Sequence, residues 1–120
     1  MHEAAMAQGI VSTVLAEAAR RGAHAVRAVD VQVGDLEGLD ADALRAAFEL
    51  EAVDTCAEGA TLSIHVTPTR LVCTACGHAW EPRIHRDDPV ACPRCAAPAR
   101  VDGTRGIVIQ RAILTTPDGP

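Results

Sequence analysis

The sequence predicts an α+β fold, with two helices on a small mixed sheet and a cysteine-bearing segment inserted before the last strand. Three observations predict it. Two stretches repeat apolar residues at helical spacing, and two others alternate apolar with polar residues at period two. Four of the five cysteines are confined to one late segment whose composition differs from the rest. At 120 residues and 48% hydrophobic content there is material for one core, but its only aromatics are Phe48 and Trp80. A core built mostly from Ala and Val is thin, and a metal staple in the smallest part would offset that.

Residues 3–21 form the first predicted helix. Met6, Ile10, Val14 and Ala18 recur every four positions, with Val11 and Leu15 beside them, so one stripe faces a core. Arg20 and Arg21 suit the negative end of the helix dipole, and Gly22 stops the helix. Val29-Asp30-Val31-Gln32-Val33 then reads as a strand with one valine face, ended by Gly34 and a loop to Leu39. Asp40 is the expected N-cap of a second helix to about Val53, with Leu44, Ala47 and Phe48 buried. Glu58-Gly59 marks a turn. Leu62, Ile64 and Val66 alternate with Ser63, His65 and Thr67 in a second strand. From Arg70 to about Arg105 no helical period survives, and Ile107–Leu114 is again strand-like. The last strand is therefore expected to rejoin the first sheet, and Thr115–Pro120 to be disordered. The implied domains are 1–69 with 106–120, and an inserted 70–105.

Charge and composition exclude several functions. Residues 1–69 carry eleven acids against four Arg, a net −7, which argues against a phosphate-binding face there. The chain has no Lys, so neither Schiff-base chemistry nor a P-loop lysine is available. No apolar run reaches the ~18 residues that span a bilayer. The start Met1-His2-Glu3 lacks the basic opening of a secretory signal. A soluble cytoplasmic protein that is not an enzyme is the expectation.

Cys73-Thr74-Ala75-Cys76 and Cys92-Pro93-Arg94-Cys95 are two C-x₂-C pairs separated by fifteen residues. This is the spacing of a zinc site made from two knuckles, each turn aiming both sulfurs at one tetrahedral ion. Gly77 is placed to supply an unusual backbone angle and an N–H directed at sulfur. Four thiolates leave no position for water, so Zn(II) here would be structural, although a mononuclear iron fits the same sulfur set. His78 lies close enough in sequence to compete as a ligand, but a second-layer or surface place is the simpler expectation. With zinc and four thiolates counted, residues 70–105 come close to neutral. Trp80 is their only aromatic, so no stacking platform for nucleic acid is present.

The amino terminus offers a different chemistry. The Met1 amine, the His2 amide nitrogen and the His2 imidazole can chelate one ion in small coplanar rings. The Glu3 amide nitrogen would complete a planar set of four nitrogens, which suits Ni(II) or Cu(II) rather than zinc. The plain alternative is an exposed terminal His, with Glu3 an acid at the positive end of a helix. Cys56, His24, His65 and His85 have no partner at ligand spacing and are expected to be idle.

The order Met1-His2-Glu3, helix, strand, Gly34-Asp35-Leu36, helix, strand and two cysteine knuckles resembles the HypA/HybF family of nickel metallochaperones in hydrogenase maturation. Further likeness lies in Gly34–Asp40, Ala43–Glu49 and Glu58-Gly59-Ala60, and the resemblance runs from Met1 to about Leu114. It implies a nickel domain with an inserted zinc-ribbon-like domain. Ni(II) cargo would be held by Met1, His2 and Glu3, with Asp40 able to approach, and structural Zn(II) by Cys73, Cys76, Cys92 and Cys95. It implies a partner GTPase, delivery to the large subunit of nickel–iron hydrogenase, and in some members service to urease maturation. No nucleic acid or membrane partner is implied, and a homodimer is compatible. One departure is Ala96, where many members have Gly, which bears on the hydrogen bonding around Cys95. The alternative function is a zinc-ribbon interaction module that binds protein or nucleic acid and has no nickel role.

Overall fold

A computed structural model describes residues 2–35, 38–81, 91–103 and 106–117. Met1, Leu36, Glu37, His85 and the last three residues of the expected disordered tail lie outside the described residues.

Helix α1 (Glu3–Arg20) buries Ala7, Ile10, Val11, Val14 and Ala18 along one stripe, as the periodicity requires. Met6 lies at the edge of that stripe and is only partly buried. Both Arg20 and Arg21 pair with Glu17, and Gly22 takes a left-handed φ of +65° where the helix stops. Strand β1 (Ala25–Gly34) is longer than its alternating valines suggest, because a bulge hides its first half. Val26 faces Leu114 and Ala28 faces Ile113, so Arg27 is the extra residue. Val26 and Val29, three apart, can therefore both be buried.

Helix α2 (Ala41–Ala52) begins at the predicted cap: the Asp40 carboxylate accepts the Ala43 N–H at 3.1 Å. It buries Leu44, Phe48 and Ala52, with Ala47 partly covered. Strand β2 (Thr61–Thr67) runs parallel to β1, and β6 (Ile107–Thr115) runs antiparallel on its other side. The order β2-β1-β6 is the expected small mixed sheet, and the C-terminal strand does rejoin it. Two expectations fail here. Val66 is 56% exposed, since it sits near the end of an edge strand with no further strand beside it. Thr115 is ordered rather than frayed, because it pairs with Ala25 and its carbonyl accepts the His24 N–H at 2.9 Å.

Three short strands, β3 (Arg70–Cys73), β4 (Ala79–Trp80) and β5 (Ala99–Asp102), form a second sheet in the order β4-β3-β5. The chain passes to it through Pro68-Thr69 and returns through Gly103. The Thr69 N–H donates to the Asp35 carboxylate at 3.0 Å, tying this passage to the end of β1. A Cβ at Gly103, where φ is +141°, would come within 3.3 Å of the Pro68 carbonyl and of the Thr69 Cα. The two passages therefore touch, and only glycine fits there.

Candidate metal centre

Each knuckle is built by its own backbone. Strand β3 delivers Cys73, and the tight turn that follows places the N–H groups of Ala75 and Cys76 each 3.3 Å from the Cys73 sulfur. The second knuckle repeats this, with the Arg94 N–H 3.3 Å from the Cys92 sulfur. The amides of Gly77 and Ala96 do not reach sulfur. They close the turns on the Cys73 and Cys92 carbonyls, at 3.2 and 2.8 Å, which corrects the expected role of the Gly77 N–H. Thr74 joins the two knuckles, its N–H and hydroxyl both donating to the Pro98 carbonyl, at 3.1 and 2.8 Å.

The four sulfurs converge. Cys73, Cys76, Cys92 and Cys95 all lie within 4.8 Å of one another, and the closest pairs are 3.4, 3.7 and 3.8 Å apart. A disulfide needs about 2.05 Å, so these are free thiols. Tetrahedral zinc with bonds of about 2.3 Å places its sulfurs about 3.8 Å apart, so the cage fits such an ion. Cys73 and Cys92 are buried while Cys76 and Cys95 face solvent, which leaves an open side for metal to enter. Without metal, the N–H of Cys76, helped by that of Ala75, lowers the Cys73 thiol to about 6. Cys95 is pushed up to about 12: the Ala97 N–H favours its thiolate, but contact with the Cys73 sulfur, burial and the other two sulfurs outweigh it. One thiolate is thus prepared in advance, while Cys95 must lose its proton as metal binds.

His78 is not in this cage. Its ring stacks on Trp80, with centroids 5.6 Å apart and planes 14° from parallel. Gly77 and Ala96 hold matching left-handed positions, φ +75° and +62°. A side chain there costs about 1–2 kcal/mol, so Ala96→Gly should stabilise the metal-bound fold. The expected gain is about 0.5–1 kcal/mol, since glycine also loosens the unfolded chain. Denaturant unfolding of the zinc-loaded variant checks it.

The amino-terminal candidates lie elsewhere in the fold. His2 is exposed at the N-cap position of α1, where its carbonyl accepts the Met6 N–H at 2.9 Å. Glu3 is 9% exposed, and its carboxylate accepts the Asp40 N–H at 3.3 Å. Two residues thirty-seven apart in sequence are therefore brought together, with the starts of both helices at one corner. Periodicity could not reveal that contact. Cys56 is partly buried against the core, and His24 and His65 are exposed. A cleft of about 610 Å³ between α1 and β6, lined by residues such as Thr13, Glu17, Arg21 and Arg111, holds none of the predicted metal residues. Among the described residues no helix is long and apolar enough to cross a membrane.

Comparison with known proteins points one way. Residues 1–113 match the family model described as hydrogenase/urease nickel incorporation, metallochaperone, hypA. Hydrogenase maturation factor HypA of Methanopyrus kandleri is 31% identical over 98% of this chain and 95% of its own length. The same factor from Streptomyces avermitilis is 35% identical over 99% and 89%. That of Ignicoccus hospitalis is 36% identical over 79% and 82%. The solution structure of the Ni metallochaperone HypA from Helicobacter pylori superposes with a TM-score of 0.69, covering 97% of this chain and 99% of that one at 19% identity, a likeness of fold.

Proposed function

The chain belongs to the HypA family, and from that membership we propose a nickel metallochaperone that lends out Ni(II) from its first residues and keeps Zn(II) on its four cysteines. Its work is metal delivery rather than catalysis. The observation that carries the reading is a family match running from residue 1 through both knuckles, in a chain whose His2 stands exposed at the start of a helix.

The proposed nickel ligands are the Met1 amine, the amide nitrogens of His2 and Glu3, and the His2 imidazole. The first N–H groups of an α-helix have no partner inside the helix, so nickel can take these nitrogens without breaking a helical bond. Planar nitrogen ligation favours Ni(II) over zinc. Glu3, bonded to the Asp40 N–H, supports the site by fixing the helix corner, and Asp40 is the nearby carboxylate from α2. Zinc is the assigned resident of the sulfur cage because the spacing and the closed four-thiolate sphere suit a structural ion. Residues 70–105 are the proposed zinc domain, and 1–69 with 106–120 the nickel domain.

Family membership implies work with the hydrogenase-maturation machinery. The proposed partners are a maturation GTPase and the large subunit of nickel–iron hydrogenase, with urease maturation as a second client, and the proposed compartment is the cytoplasm. The test is titration of zinc-loaded protein, native at its N-terminus, with Ni(II). One equivalent should bind with the weak visible bands of planar nitrogen ligation. Strong near-ultraviolet sulfur-to-nickel bands with release of zinc would overturn the assignment.

A further inference from the structure

Helix α2 carries a second apolar stripe that its own fold does not use. Leu44, Phe48 and Ala52 are buried, but Ala43, Ala46, Leu50 and Val53 are all exposed, Leu50 by 76% and Val53 by 49%. Their spacings of three, four and three residues are those of a coiled-coil seam. At 3.6 residues per turn this stripe projects from the side opposite the buried one. A single exposed Leu is ordinary, whereas an aligned row led by Leu50 and Val53 is a surface into which another helix can pack.

Charge selects the occupant. Asp42 and Glu49 border the seam on one side, and Asp54 follows it where the chain leaves the helix at φ +63°. The helix has one basic residue, Arg45, which is engaged with Asp42 at 3.3 Å and reaches the Leu62 carbonyl. A second copy would bring the same acids against these, a repulsive match. Nucleic acid and anionic lipid surfaces are repelled for the same reason. We infer that the outer face of α2 docks an amphipathic helix of another protein, apolar at its own seam and flanked by Arg or Lys. The seam starts at Ala43, one turn from Asp40, whose N–H meets the Glu3 carboxylate. The docking does not rest on the proposed function.

The probe is a synthetic peptide of about three heptads, Leu at a and d and Lys at e and g, with a twin carrying Glu at e and g. Full-length zinc-loaded protein should bind the basic peptide, with amide shifts centred on Ala43, Ala46, Leu50 and Val53, and should not bind the acidic twin. Leu50→Gln, which keeps a good helix former at an exposed site, should weaken binding at least about tenfold. Glu49→Lys should weaken it as well and admit the acidic peptide. Equal binding of both peptides, an affinity unmoved by Leu50→Gln, or a dimer that Leu50→Gln disperses in sedimentation would each overturn the inference. Nickel titration of Leu50→Gln should match that of the unaltered protein, so loss of nickel binding and loss of docking are read separately.

Discussion

Replacing Cys73 by Ala will release the zinc and unfold the β4-β3-β5 sheet, while the β2-β1-β6 sheet and both helices stay folded. Cys73 is the buried sulfur that receives two N–H groups and bridges to Cys95 at 3.4 Å, so its loss opens the cage at its best-supported corner. The strands it anchors are two to four residues long and their ladders are short. Structural zinc contributes about 10–16 kcal/mol in comparable small units, far more than ladders of that length provide. The affinity loss should exceed the about 10–100-fold that follows removal of a mere supporting hydrogen bond. Zinc competition with a chromophoric chelator measures the first effect. Amide exchange measures the second: fast exchange at Leu71, Val72 and Val101 beside retained protection at Val29, Val31 and Leu44. Protection that survives the loss of zinc would mean that residues 70–105 are held by packing, and the proposed domain division would fail.

A polar extension of several residues added before Met1 will abolish specific nickel binding while zinc remains bound. The addition turns the terminal amine into an amide and moves it away from His2, which breaks the chelate ring at its first nitrogen. His2→Ala removes the imidazole and should do the same. Each change deletes one of four planar donors, so about a hundredfold or greater loss is expected, on the scale of losing a strong charge-assisted contact. His2 is exposed and remote from the core and from the sulfur cage, so thermal unfolding of His2→Ala should be unchanged. Isothermal titration with Ni(II) on the three proteins reads the effect, and nickel affinity that survives both changes would place the cargo elsewhere.

The metal cage was the most legible part of the molecule, because a two-residue gap between cysteines leaves a tight turn little choice about where the sulfurs point. The Asp40 cap and the buried stripes of both helices were legible for a similar reason: capping and helical period are local. What escaped was set by partners distant in sequence. The bulge at Arg27 breaks the alternation that would have marked Ala25–Ala28 as strand, and only pairing with β6 reveals it. The exposure of Val66 depends on its being at a sheet edge, which alternation cannot tell. The strands of the second sheet are too short to carry a period at all. Glu3 read as a helix-dipole acid, yet its carboxylate also meets the Asp40 N–H, a contact fixed by helix packing.

The touching passages at Pro68-Thr69 and Gly103 bring the two ends of the cysteine-bearing part together. Its free ends already meet, so whatever hangs beyond them can be lengthened, shortened or exchanged at little chain-entropy cost to the helices and the larger sheet. The architecture is that of a socket: a lineage, or an engineer, can change the plug and leave the two-helix half as it is.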